Sequence, residues 1–183
     1  MKLTKEIIDA HKPCSDGIEW YIVNGTDDLL ETLLKVNEHT SDWARWLFTQ
    51  LMTLKQKREI GIFSAEQVLH IFEEKYPDDK RPRKAIEAAK EVLENDTKES
   101  RYAASAAASA AYTAAASAAA PAASAASAAA SAAAAYAAAA AYAYAAAYAA
   151  YAAAAAYAYA GRKKEMQKII ITRAVYILDR DAQ

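Results

Sequence analysis

The densest run of charged side chains is Asp78-Asp79-Lys80-Arg81-Pro82-Arg83. At a helix start, backbone N–H groups and nearby guanidinium groups can receive a phosphate or a carboxylate, so Asp78, Asp79, Arg81 and Arg83 form a candidate ligand or partner site. The same residues admit a structural reading. In that reading Asp78 or Asp79 caps the helix while Arg81 and Arg83 pair with Glu73, Glu74 or Glu87. A second candidate set is aromatic: Tyr136, Tyr144, Tyr148 and Tyr151, continued by Tyr159, form a stripe that could stack a planar ligand such as a nucleobase. Alternatively these rings lie across alanine surface as core, each hydroxyl reaching water or a carbonyl. Trp43 and Trp46 stand one helical turn apart, as core or, if exposed, as an interface anchor.

Thiol, imidazole and carboxylate chemistry finds little support. His11 and Cys14 are three residues apart, but two ligands do not make a zinc site. Cys14 with His39 or His70 lacks any motif of a nucleophile pair. His70, inside an apolar run, reads as a half-buried side chain. No paired-carboxylate, triad, P-loop or metal motif occurs, so the sequence predicts no catalytic residue, no metal and no cofactor.

Helices must position these residues. Asn24-Gly25 is a turn signal, and Thr26 with Asp27 and Asp28 caps a helix over about 27–37 carrying Leu29, Leu30, Leu33, Leu34 and Val36. Thr40 or Ser41 caps the next, with Trp43, Trp46, Leu47, Leu51 and Leu54 on one face and the basic run Lys55 to Arg58 at its end, complementing the dipole. Ser64-x-x-Gln67 reads as a capping box opening Val68, Leu69, Ile71 and Phe72. Pro82 starts a helix bearing Ala85, Ile86, Ala89, Val92 and Leu93, and Met166, Ile170, Ala174 and Ile177 mark a last amphipathic helix after Gly161. Only Ile18 to Val23 could be a strand, and one strand makes no sheet. The predicted fold is all-α, a compact helical bundle with close-packed Ala/Tyr-rich helices.

Between Tyr102 and Ala160 lie 59 residues without a charge: 42 Ala, 9 Tyr, 7 Ser or Thr and one Pro. Alanine is the best helix former, and the block has no Leu, Ile, Val, Phe or Met to draw it into hydrocarbon, which argues for packed helices and no membrane span. As one rod it would run roughly 90 Å, against a radius of gyration of about 16 Å for a compact chain of this length. It must therefore fold back. Pro121 marks one break, and a second falls near residues 138–143. Ser105, Ser109, Thr113 and Ser117 recur every four residues along one face.

The net charge is -1, so no overall field steers the chain to nucleic acid. The charge is distributed unevenly: residues 1–101 hold 16 basic and 20 acidic side chains, and residues 161–183 hold 6 and 3. One cysteine excludes an intramolecular disulfide, and the opening MKLTKEIIDAHK has no apolar core of a signal peptide, so a cytoplasmic location is expected.

The run from Ala65 to Asn95, AEQVLHIFEEKYPDDKRPRKAIEAAKEVLEN, followed by alanine helices and a charged terminal helix, resembles the putative immunity protein domain found near polymorphic toxin systems and in phage proteins. The cues are Asp79, Arg81, Pro82, Arg83, Ala85 and Ile86. CSDGIEWYI (Cys14 to Ile22) and SDWARWLF (Ser41 to Phe48) are similar to a leader module that precedes this element. The division expected is a helical leader over residues 1–60 and an Ala-rich, immunity-like bundle over 61–183. The resemblance implies a non-enzymatic binding protein of phage or bacterial conflict, sequestering a toxin or a defence protein. Two alternatives remain: a sponge for a small nucleotide signal, using the Tyr faces and the Arg cluster, and a structural, oligomeric Ala-rich helical protein. Because alanine helices bury little area per residue, a homo-oligomer is also expected.

Overall fold

The computed structural model describes residues 2–137, 152–153 and 162–181, with side chains of 135–137 excepted. The chain divides into two compact units, Met1–Met52 with Gln167–Gln183, and Thr53–Met166. Residue 60, where the leader was expected to end, lies within a helix of the second unit.

The first unit holds four short helices, α1 (Lys5–Ala10), α2 (Ser15–Asn24), α3 (Leu29–His39) and α4 (Ser41–Leu51). Most of the last helix, α9 (Lys163–Arg180), belongs to it from Gln167 onward. Asp28 caps α3, its carboxylate accepting from Glu31 N–H at 2.7 Å. Ile18 to Val23 are helical, within α2, so the one strand the sequence allowed does not form. Among the described residues the only β pairing is an isolated Lys2–Asp28 bridge. Gly25 ends α2 where the sequence placed a turn, and a Cβ there would lie 2.2 Å from the Tyr21 ring. Leu3, Ile8, Leu29, Leu33, Val36, Leu47 and Phe48 are buried.

The second unit is a helical bundle that includes α5 (Leu54–Lys75), α6 (Arg81–Glu94), α7 (Lys98–Ser117) and α8 (Ala120–Ala137), and α8 packs on the other three of these. Two expectations about α5 need correction. Lys55 to Arg58 do not end α4; they occupy the opening of α5, because the chain leaves α4 at Met52 in extended conformation. Nor does Ser64 open a helix. Thr53 already does: its hydroxyl accepts from Gln56 N–H at 3.3 Å while the Gln56 amide oxygen accepts from Thr53 N–H at 2.8 Å. Ser64 is wholly buried in mid-helix and satisfies its hydroxyl by donating to Ile60 O at 2.7 Å.

Pro82 sits in the first turn of α6 and Pro121 in the first turn of α8, where a missing N–H costs nothing. The break at Pro121 therefore forms as expected. Ala104, Ala108, Ala111, Ala114 and Ala115 form the buried stripe of α7. On α8 burial runs almost all round, through Ala122, Ala125, Ala126, Ala128, Ala129, Ala130, Ala132 and Ala133. Each buried methyl contributes on the order of 0.8 kcal/mol, and alanine loses no rotamer freedom on packing. Small side chains let α8 sit deep among its neighbours. Gaps are filled from outside, as where Tyr112 reaches over to Ser131, hydroxyl to hydroxyl at 3.2 Å. At the α6–α7 corner Asp96 binds Arg101 of α7 in two bonds and meets the buried Arg58 of α5 at 3.5 Å. On α9, Met166, Ile170, Ala174 and Ile177 are all buried, as their spacing predicts.

Candidate functional site

The charged run falls where α5 turns into α6. Asp79 is the hub of its own corner: one carboxylate oxygen accepts from the Arg81 backbone N–H at 3.1 Å, and both accept from the Arg81 guanidinium at 2.6 to 3.1 Å. Arg83 reaches back across the α5–α6 interface to grip Glu73 through Nε at 2.6 Å and Nη2 at 2.5 Å. Hydrogen bonding to these guanidinium groups holds both carboxyls below their usual range, Asp79 through Arg81 and Glu73 through Arg83. Asp78 is exposed. Both arginines thus engage carboxylates of this chain. An incoming anion would have to displace a bidentate partner from each.

Beside that corner, Glu66, Leu69, His70, Glu73, Arg83, Ile86, Glu87 and Lys90 line a shallow groove of about 310 Å³ between α5 and α6. Lys90 bridges it to Glu66 at 2.5 Å. His70 is exposed there, not half-buried, since α5 turns it toward the groove.

The outer side of α7 differs from this salt-bridged surface. Tyr102, Ser105, Ser109, Tyr112 and Thr113 lie along it, all exposed; Lys98, one turn before, stands over the Tyr102 ring at 5.9 Å, and α7 carries no charged side chain after Arg101. Tyr102 is 68% exposed and Tyr112 44%. Ser109 donates inward to Ser105 O and Thr113 to Ser109 O, so their oxygen lone pairs face solvent. The four-residue spacing of Ser105, Ser109 and Thr113 was legible in the sequence. That it lies outward was settled by the alanines opposite.

Trp43 and Trp46 are half-buried on α4 in the first unit, and together they line a pocket with Trp20 of α2. Of the tyrosine candidates, Tyr144, Tyr148 and Tyr151 lie outside the described residues, as do Tyr159, Gly161 and the second break near 138–143; Tyr136 is on α8 but its side chain is not described. The structure thus brings together Asp79 with Arg81, and Trp43 with Trp46.

Among the described residues no group of three or more His, Cys, Asp or Glu side chains could hold a metal ion. Cys14 is exposed. No helix among them is long and apolar enough to cross a membrane.

Comparison with known proteins gives one family. The model described as Imm-5 like putative immunity protein matches residues 50–174, which include the DDKRPR corner and all of α7, and lie downstream of Trp43 and Trp46. No curated protein and no solved structure matches the chain.

Proposed function

The chain belongs to the Imm-5 like putative immunity protein family, which supports an immunity-type role in general, and on that premise we propose that it is a non-enzymatic inhibitor that binds a partner protein. The partner is a toxin, or a host defence protein if the chain serves a phage. The lone, exposed Cys14 suits an encounter in a reducing cytoplasm.

The observation that carries this reading is the outer face of α7, inside the matched segment. Interface cores are depleted of charge and rich in aromatic rings. Tyr102 and Tyr112 supply ring area at low entropic cost, and Ser105, Ser109 and Thr113 supply adaptable hydrogen bonding. The DDKRPR element supports the same reading indirectly: its bidentate pairs brace the α5–α6 corner of the bundle that carries this face.

The test is protection. Cells expressing a toxin encoded beside the gene are complemented with the full chain, and the two proteins are purified together. Protection with an equimolar complex is expected, and Tyr102→Asp with Ser109→Asp should lower survival by about tenfold or more, the equivalent of 1.4 kcal/mol of binding, at unchanged helicity. Protection unaffected by both substitutions would remove α7 from the interface. Turnover of the toxin by substoichiometric chain would overturn the non-enzymatic reading. Sedimentation of the chain alone shows whether the face is taken by a second copy.

A further inference from the structure

The pocket of the first unit lies wholly outside the family match, and its aromatic lining differs from the salt-bridged groove between α5 and α6. It measures about 350 Å³ and is walled by Trp20 of α2 and Trp43 and Trp46 of α4, with Ile8, Val36 and Leu47 beneath. That volume falls in the range of pockets that take small organic molecules. Two of the indoles are held in place: the His39 ring stacks on Trp20 at 5.9 Å and 23° and leans on Trp43 at 5.3 Å and 52°. Tyr21 offers its ring to the wall while its hydroxyl donates away, to Leu3 O at 3.2 Å. Three indoles around one cavity favour a planar ring, which can stack or meet them edge to face.

Two charged side chains line the pocket, and their states differ. Asp42 already accepts from Arg45 at 2.9 Å. Lys12 has no carboxylate partner among the described residues. Lys12 also stands in the left-handed region, at φ 52, just past the end of α1, with its N–H bonded to Asp9 O. Glycine or asparagine would take that position more cheaply. A lysine kept there at a backbone cost, beside an aromatic cavity, supplies one open positive charge.

We propose that this pocket binds a small planar aromatic monoanion, a ring bearing one carboxylate, with the ring among Trp20, Trp43 and Trp46 and the carboxylate on the Lys12 ammonium. One open cation matches one negative charge. A phosphate monoester, at roughly -1.5 to -2 near neutral pH, would be left undercompensated.

The test uses the full chain labelled with nitrogen-15 and indole-3-acetate as the probe, because the three indole N–H resonances report directly on the walls. Saturable shifts of these resonances are expected with indole-3-acetate. Tryptamine, the same ring with a positive tail, should bind at least roughly fivefold more weakly, which is what one charge contact at about 4 Å in water supplies. Lys12→Gln should bring the two probes level. Cys14→Trp, a change at an exposed lining residue, should fill the cavity and abolish the shifts while the remaining spectrum stays in place. Absence of saturable shifts overturns the proposal, as does tryptamine binding equally well to the unaltered chain, or binding that survives Cys14→Trp. Because residues 8–47 lie outside the matched segment, none of these outcomes bears on toxin neutralisation.

Discussion

At the scale of single residues, Asp79 and Glu73 carry the clearest electrostatic consequence. Each has its pKa lowered chiefly by a guanidinium hydrogen bond, from ordinary values of 3.8 for Asp79 and 4.5 for Glu73. The folded state then binds fewer protons than the unfolded chain in the window below those values, so stability is fully present above them and falls as pH drops through the depressed range. Acid titration of unfolding should show this loss beginning near the ordinary values, and the Arg81→Ala, Arg83→Ala double variant should show a shallower one. Both arginines are partly exposed, so the double variant should lose only a little stability at neutral pH by urea denaturation. Retained toxin protection in that variant would give the corner a bracing role. Loss of protection at unchanged stability would move the interface there. The sequence offered both readings of Arg81 and Arg83, because partner choice depends on Glu73 standing across from Arg83, a relation set only when α5 and α6 pack.

At the scale of elements, the alanine helices and the cap of α5 can be tested separately. Thr53→Ala removes one side of a reciprocal cap and should cost about 1 kcal/mol, read as a lower urea midpoint with an unchanged slope. Ser64→Ala, at the site where the sequence placed a cap, loses no terminal N–H partner and should cost less. Ala129 is wholly buried on α8, so Ala129→Leu should overpack the bundle by about 1–3 kcal/mol. Ala106→Leu, on the exposed side of α7, should cost little. If both alanines tolerate leucine, α8 is not close-packed. The start of α6 and the break after α7 were legible because a proline stands in the first turn of α6 and of α8. The join between α4 and α5 was not, since Leu51 and Leu54 continue one apolar spacing across the extended residue Met52.

At the scale of the molecule, the two units differ in how they hold together. The first has helices of 6, 10, 11 and 11 residues before its share of α9, the second of 22, 14, 20 and 18. Short helices depend more on tertiary packing than on propensity. All three tryptophans lie in residues 1–52, so indole fluorescence reports the first unit while helical circular dichroism is weighted to the second. In a urea titration the fluorescence midpoint is expected at lower denaturant than the circular dichroism midpoint. Coincident midpoints would show that the units unfold as one.

By itself the sequence determined that the fold is all-α, that Pro121 divides the alanine block and that the family is one of immunity proteins. These follow from local causes: alanine propensity, a missing proline N–H, and motif residues adjacent in the chain. Tertiary structure alone decided the rest. It turned the Ser105 to Thr113 stripe outward, occupied Arg81 and Arg83 with carboxylates, set Ser64 inside a helix and assembled Trp20, Trp43 and Trp46 around one cavity with Lys12 at its wall. Those outcomes depend on which helix faces which, and a helical period places residues on a face without saying what that face will meet.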